Sequence, residues 1–169
     1  GQHRACLGAD QRVSGGRMND EQHAFWLGYI RQLADLMQLK DWDIDLSRGE
    51  PQSNTADAEI CTYYGQRGAA ISLPVKFFAQ SPERQRYFIA HELMHCHSED
   101  LSECIRLYIN HNGHMDDLIA QVYRREEEVL VDNLARVIAP FLPLPETHVR
   151  YWSSGINSLP NGTSPLPRG

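Results

Sequence analysis

Five consecutive residues, His91-Glu92-Leu93-Met94-His95, set two imidazoles four positions apart with a carboxylate beside the first. On a helix, positions four apart share a face, so both rings can reach one metal ion. Neutral imidazole nitrogen is a donor of borderline softness that suits Zn2+, here one ion per chain. Zinc lowers the pKa of a bound water to about 7, and a neighbouring carboxylate can take that water's proton, leaving a hydroxide able to attack a carbonyl. His91 and His95 are thus candidate metal ligands and Glu92 the candidate general base. The chemistry these types and spacings suit is amide hydrolysis. The spacing also arises by chance in roughly one chain in forty of this composition, and two solvated histidines on a surface helix are the plain alternative, so the surroundings decide.

Those surroundings favour a helix. Ser81-Pro82-Glu83 is a helix start, with Ser as cap and Pro in the first turn, and no Pro or Gly interrupts residues 83–97. Ile89, Leu93 and Cys96 form an apolar stripe that leaves His91 and His95 on another face. A catalytic zinc site needs a third protein ligand and one open position. Glu128 is the leading candidate, because Glu128, Asp132 and Ala135 fall at i, i+4 and i+7 of a later helix. Asp132 could accept the ring N–H of a ligating histidine and fix its orientation, and the small Ala135 allows close helix approach. Glu126 and Glu127 read as a solvated acidic turn. The runner-up third ligand is His114, with His111 beside it, both flanking Asn112-Gly113 in an expected loop. His97 points away from His95 on a continuous helix. The extended three-histidine pattern is absent, since position 98 is Ser and position 101 is Leu. Tyr63, Tyr64, Tyr108 and Tyr123 are candidate donors to a developing oxyanion, and spacing does not choose among them.

The elements that must position these groups are legible from periodicity. Apolar residues from Phe25 to Met37 recur at helical spacing behind the caps Asn19 and Asp20. Trp42 to Leu46 alternates as a half-buried strand, Ala58 to Tyr64 reads as a second, and Ala69 to Leu73 as a third, with Gly65-Gln66-Arg67-Gly68 as a hairpin turn between the last two. The helix from Ser81 is expected to end near Ser98, with a short helix over 99–112 and a long one over Asp116–Ala139, stopped by Pro140. The order predicts an α+β domain over 18–142, in which a small, mostly antiparallel three-stranded sheet packs on helices. Residues 1–17 lack periodicity and read as a flexible leader or arm; residues 143–169 read as a Pro-rich tail.

Composition narrows the partners. The chain has 169 residues and a net charge of −6, which argues against broad phosphate-backbone binding. Arg84, Arg86, Arg124 and Arg125 read as solvated surface. No apolar run spans a bilayer and no secretory pattern opens the sequence. Cys6, Cys61, Cys96 and Cys104 form no CxxC pair and read as reduced thiols in a cytoplasmic protein, with Cys96 buried and inert.

With His91-Glu92-Leu93-Met94-His95 followed by Glu128-Val129-Leu130-Val131-Asp132, the sequence resembles the gluzincin group of zincin metallopeptidases, where a glutamate ligand arrives in an ExxxD or ExxxN pattern. More narrowly, over residues 21–142 it resembles the compact ImmA/IrrE-like metallopeptidases of bacteria, mobile elements and phages, whose last helix reads roughly ExxxNxxAxxLLxP. Glu128, Asp132, Ala135, Ile138 and Pro140 follow that pattern, with Asp132 in place of Asn and the proline one residue early. The resemblance implies a minimal zincin-like fold, a narrow-specificity endopeptidase that cleaves a regulatory protein, and a peptide substrate bound as an extended strand beside the sheet edge near Ala69–Leu73, a mode natural to any strand with unpaired backbone groups. Two alternatives stand beside it. One is a protease resembling the SprT-like group, with His114 or His111 as third ligand; such proteins act at DNA, for which this acidic chain lacks a basic surface. The other is a zincin-fold binding module without catalysis, against which Glu92 stands, since a purely structural site has no use for a general base.

Overall fold

A computed structural model describes residues 18–63, 65–112 and 117–145. The leader 1–17, the tail beyond 145, Tyr64 and His114 lie outside the described residues. Helix α1 spans Asp20–Leu36 and opens with a capping box, in which the Asn19 side chain accepts from the Gln22 N–H and the Gln22 side chain accepts from the Asn19 N–H. Its inner face buries Trp26, Tyr29, Ile30 and Leu33. It ends by turning at Gln38, whose φ of 63° is the left-handed conformation common just past a helix end.

Three short strands follow: β1 (Asp43–Leu46), β2 (Glu59–Tyr63) and β3 (Gly68–Ser72). In β1 exposed and buried positions alternate, as the pattern of Asp43, Ile44, Asp45 and Leu46 predicts. Strands β2 and β3 form the expected antiparallel hairpin, with Gly65 at φ 68° in its turn. At position 68 an added Cβ would meet Tyr63 Cδ2 at 2.8 Å, so a larger residue there would have to displace that ring.

The sheet corrects two expectations. It is mixed, because β1 runs parallel to β3, Ile44 opposite Ala69, and only β2 runs antiparallel to it. The order is β1-β3-β2, so β3 is the central strand. Residues 68–72 therefore have neighbours on both sides and cannot receive a peptide; Ala69–Leu73 is not an edge. Among the described residues the outer strands are β1 and β2. The physical reason is visible in the side chains: Gly68, Ala69 and Ile71 are buried, and a short apolar run of this kind marks a covered inner strand rather than a half-solvated edge.

A 3-10 turn over Val75–Ala79 follows β3 and drives Phe77 fully into the core. Helix α2 then spans Pro82–Asn112 as one element of 31 residues. The break expected near Ser98 is absent, because no Pro or Gly occurs between positions 83 and 112 to end the helix. Helix α3 spans Asp117–Ile138, and a 3-10 turn over Ala139–Phe141 carries Pro140 at its start. Helix α2 packs on β2 and α3, and α1 packs on β1. Residues 143–145 belong to the body rather than to a free tail: Tyr29 Oη donates to the Pro143 carbonyl at 2.8 Å, and Pro145 is buried.

Among the described residues, no helix is long and apolar enough to cross a membrane. Cys96 is buried and free, and burial pushes its thiol up to about 12, as an inert core thiol requires. Cys104 is free and exposed. Cys61 is disulfide-bonded, which departs from the reading of all four cysteines as reduced.

Ile89, Ala90 and Leu93 are fully buried and anchor the middle of α2 to the core. Leu93→Ala should therefore destabilise the protein by about 2–5 kcal/mol in urea unfolding, whereas Leu101→Ala, at a side chain 58% exposed on the same helix, should change it by less than about 0.5 kcal/mol.

Candidate metal centre

With Leu93 pinned in the core, the 3.6-residue period of α2 turns His91 and His95 toward α3. Their ring centroids lie 5.2 Å apart. From α3, Glu128 reaches between them: Oε2 is 3.5 Å from His91 Nε2 and Oε1 is 3.6 Å from His95 Nε2. One donor atom from each of the three residues lies within 4.8 Å of the others. Two donors each about 2.1 Å from a tetrahedral zinc ion sit about 3.4 Å apart, so the observed Nε2–Oε separations suit a shared ion. Two neutral nitrogens and one carboxylate are also the chemistry of a three-ligand zinc site with an open fourth position. The residues present fit the metal.

Electrostatics at the cluster follow from burial and from Glu128. Burial works against a charged ring at both histidines. At His91 the Glu128 and Glu92 carboxylates outweigh burial and the net shift is upward; at His95 burial wins and the shift is downward. The His91 contact in turn holds the Glu128 carboxyl below its ordinary value.

Glu92 lies beside the cluster on the core side of α2, only 9% exposed. Its Oε2 accepts the Ile60 N–H of β2 at 2.9 Å, leaving Oε1 for other work. Burial pushes the carboxyl up to about 7, against the opposing pull of His91. All four residues face a cavity of about 850 Å³, bounded by the 55–62 segment, α2 and α3. Because Ile60 turns its N–H away from β3, alternation along the strand also directs the backbone of Thr62 into this space.

Several expectations change here. Asp132 does not bond a histidine ring; it accepts from the Tyr87 hydroxyl and from Arg136 Nε at 2.8 Å. The aspartate sits one helical turn past Glu128, and Tyr87 one turn before His91 fills the space between them, its ring 6.3 Å from that of His91. Glu127 is not a solvated carboxylate. Its Oε1 accepts from Ser98 Oγ and Ser102 Oγ, each at 2.6 Å, and it lines the cavity. Glu126 does pair with Arg125 at the surface, as a solvated turn would. His97 points away, its Nε2 2.9 Å from the Met37 carbonyl. His111 lies on the same continuous α2 as His95, sixteen residues and about 24 Å along the axis, too far to share an ion. Of the tyrosines put forward, Tyr123 lines the cavity and shares a 2.8 Å bond with Ser102 Oγ, whereas Tyr63 and Tyr108 are exposed and do not line it.

Comparison with family models, curated proteins and solved structures found no match to this chain.

The residues missed by sequence reasoning carried a usable signal. Tyr87, His91, His95, Ser98 and Ser102 recur at intervals of three and four, so one face of α2 is polar for over four turns, through the site and beyond it. The Ile60 N–H had no such signal, because strand order decides it.

The Glu92 environment makes a prediction for metal-free protein. A carboxyl with a folded-state value raised from 4.5 to about 7 binds its proton more tightly when folded. Its contribution to stability is complete below the unfolded value and is lost as pH rises through 7. In chelator-treated protein, wild type should lose more stability than Glu92→Gln between about pH 5 and pH 8. Urea midpoints across that range measure it, and parallel curves would show that Glu92 ionises without penalty.

Proposed function

We propose that the chain is a zinc-dependent peptidase of the gluzincin type, with His91, His95 and Glu128 as metal ligands and Glu92 as general base. One observation carries the reading: two imidazoles and a carboxylate from two helices converge within 4.8 Å, beside a buried, separately hydrogen-bonded glutamate, at the wall of a large open cavity. A metal held for stability alone has no need of that glutamate. When bound, zinc at this cluster would acidify a water and polarise a carbonyl.

The protein's own residues supply the rest. The Ile60 N–H fixes Glu92 so that Oε1 can take a proton from the attacking water and return it to the leaving amine. A value near 7 suits both transfers at neutral pH. The substrate is a peptide lying extended along the outer edge of β2, pairing with the backbone of Thr62 and the Ile60 carbonyl while the Ile60 N–H stays with Glu92. That placement replaces the central strand β3 as the docking edge.

Metal analysis by mass spectrometry after dialysis tests the ligand set. The expected result is near one zinc per chain in wild type and in Glu92→Gln, and little in Glu128→Ala. Retention in Glu128→Ala with loss in His114→Ala would transfer the third ligand to histidine. Catalysis is tested on a mixed peptide library, reading new termini. Glu92→Gln should lower cleavage by about 10²–10⁴-fold with zinc retained. Zinc-loaded wild type that leaves the library and candidate protein substrates uncut would leave a binding module.

A further inference from the structure

Glu127 lines the cavity beside the metal cluster without a cation of its own. The carboxylates around it are matched. Asp57 meets Lys76 at 3.1 Å, Glu99 meets Arg106 at 3.1 Å, and Glu128 reaches the two histidines. Glu59 is turned onto the backbone N–H groups of Gln52 and Ser53. Glu127 is held by neutral hydroxyls alone. Ser98 Oγ and Ser102 Oγ both donate to it at 2.6 Å, and Ser102 is bonded in turn to the Tyr123 hydroxyl at 2.8 Å. Both serine bonds fall on Oε1, which leaves Oε2 for another donor. The arginines nearest in sequence are directed elsewhere: Arg124 donates from Nε to the Ala120 carbonyl at 3.2 Å, and Arg125 pairs with Glu126 at 2.6 Å.

A carboxylate facing a partly enclosed space gains most from a charged donor, because neutral hydroxyls make up for only part of its hydration. The hydroxyls also hold Glu127 in one orientation before anything binds, which lowers the ordering cost of a bound cation. A fixed, unmatched charge discriminates as well. A neutral side chain laid against it would displace water and return no bond, so a substrate without a cation there is rejected. Position then follows from the helix. Ser98 lies three residues past His95, so its bond to Glu127 stands about one turn, roughly 5 Å, along α2 from the metal cluster. An extended peptide advances about 3.3 Å per residue, so that distance is one or two residues of substrate.

We infer that Glu127 sets the specificity of the cleft, selecting a peptide that carries a cationic nitrogen one or two residues from the scissile bond. The nitrogen belongs to a lysine or arginine side chain or to a terminal ammonium, and it donates to Oε2 while Oε1 stays with Ser98 and Ser102. The place of the scissile bond rests on the peptidase reading; the need for a cation rests on the surroundings of Glu127.

Fluorescence anisotropy on the full Glu92→Gln chain, supplemented with zinc, tests this without turnover. The probes are pentapeptides of alanine with one central lysine or norleucine, labelled at the C-terminus and acetylated at the N-terminus. The lysine peptide should bind about tenfold or more tightly than its norleucine twin. Adding Glu127→Gln should remove that preference with zinc content and circular dichroism unchanged, and adding Glu126→Gln should keep it. An unacetylated norleucine peptide that binds as the lysine peptide does would assign the nitrogen to the terminal ammonium; weak binding of it would assign the side chain. Equal binding of all three peptides, no binding of any, or a lysine preference that survives Glu127→Gln overturns the inference. In wild type, new termini from the mixed library should show Lys or Arg, or the original N-terminus, within two residues of the cut. Cleavage without either would overturn the inference and leave the peptidase reading standing. A lysine preference lost in Glu127→Gln, in a protein that cuts nothing, would do the reverse.

Discussion

A carboxylate nine-tenths buried, held by a single backbone N–H, ties the helix that carries His91 and His95 to the strand that borders the cavity. Burying an ionisable group without compensation costs several kcal/mol, and the protein reduces that cost in two ways. Glu92 Oε2 takes the Ile60 N–H, and the carboxyl value rises to about 7, so that it is partly neutral near pH 7. The same bond consumes an edge N–H of β2 that would otherwise be open. Strand position, helix rotation and the protonation of the candidate base are therefore one coupled arrangement. Shifting β2 by one residue would turn the Ile60 N–H toward β3 and leave Glu92 buried with no partner.

The second constraint is the rotation of α2. Ile89, Leu93 and Cys96 fill the core while His91, His95, Ser98 and Ser102 share the opposite stripe. One continuous helix sets both, and its length matters. Because α2 runs unbroken to Asn112, its second half extends the polar stripe beyond the ligands and receives α3 alongside, with Glu127 bonded to Ser98 and Ser102 and Glu128 placed between the histidines. Adjacent glutamates on one helix so take different work: one oxygen of Glu127 fixes how α3 sits on α2, and the next side chain reaches the cluster. Had α2 ended near Ser98, the serine that accepts Tyr123 and donates to Glu127 would not be held in register with His95.

This division explains what could be read from the sequence. The helix caps, the hairpin and the facing of His91, His95 and Glu128 depend on local periodicity and on residues within a turn or two, and those are legible. The α+β class followed from the order of elements. Strand order did not, because nothing local in Asp43–Leu46 says whether it pairs with β2 or β3, or in which direction. Assigning the edge to Ala69–Leu73 ignored that Ala69-Ala70-Ile71 is apolar without alternation, the mark of a covered strand. The partner of Asp132 was likewise out of reach: the aspartate does lie one turn from Glu128, but Tyr87, forty-five residues away, occupies the approach to His91. The unbroken α2, by contrast, was available from the absence of any helix breaker over residues 83–112.

Helix α3 carries the most conflicting demands. Its inner residues must be small enough to approach α2 closely, as Ala135 is, while Glu128 must reach between His91 and His95. In the metal-free protein the Glu128 carboxylate is matched by His91, whose value it raises. Arg136 does the same for Asp132 one turn further on, and its guanidinium lies over the Tyr87 ring at 5.5 Å. Asp132 and Arg136 thus lie on the flank of α3 beside the cluster, while Glu126 pairs with Arg125 at the outer surface.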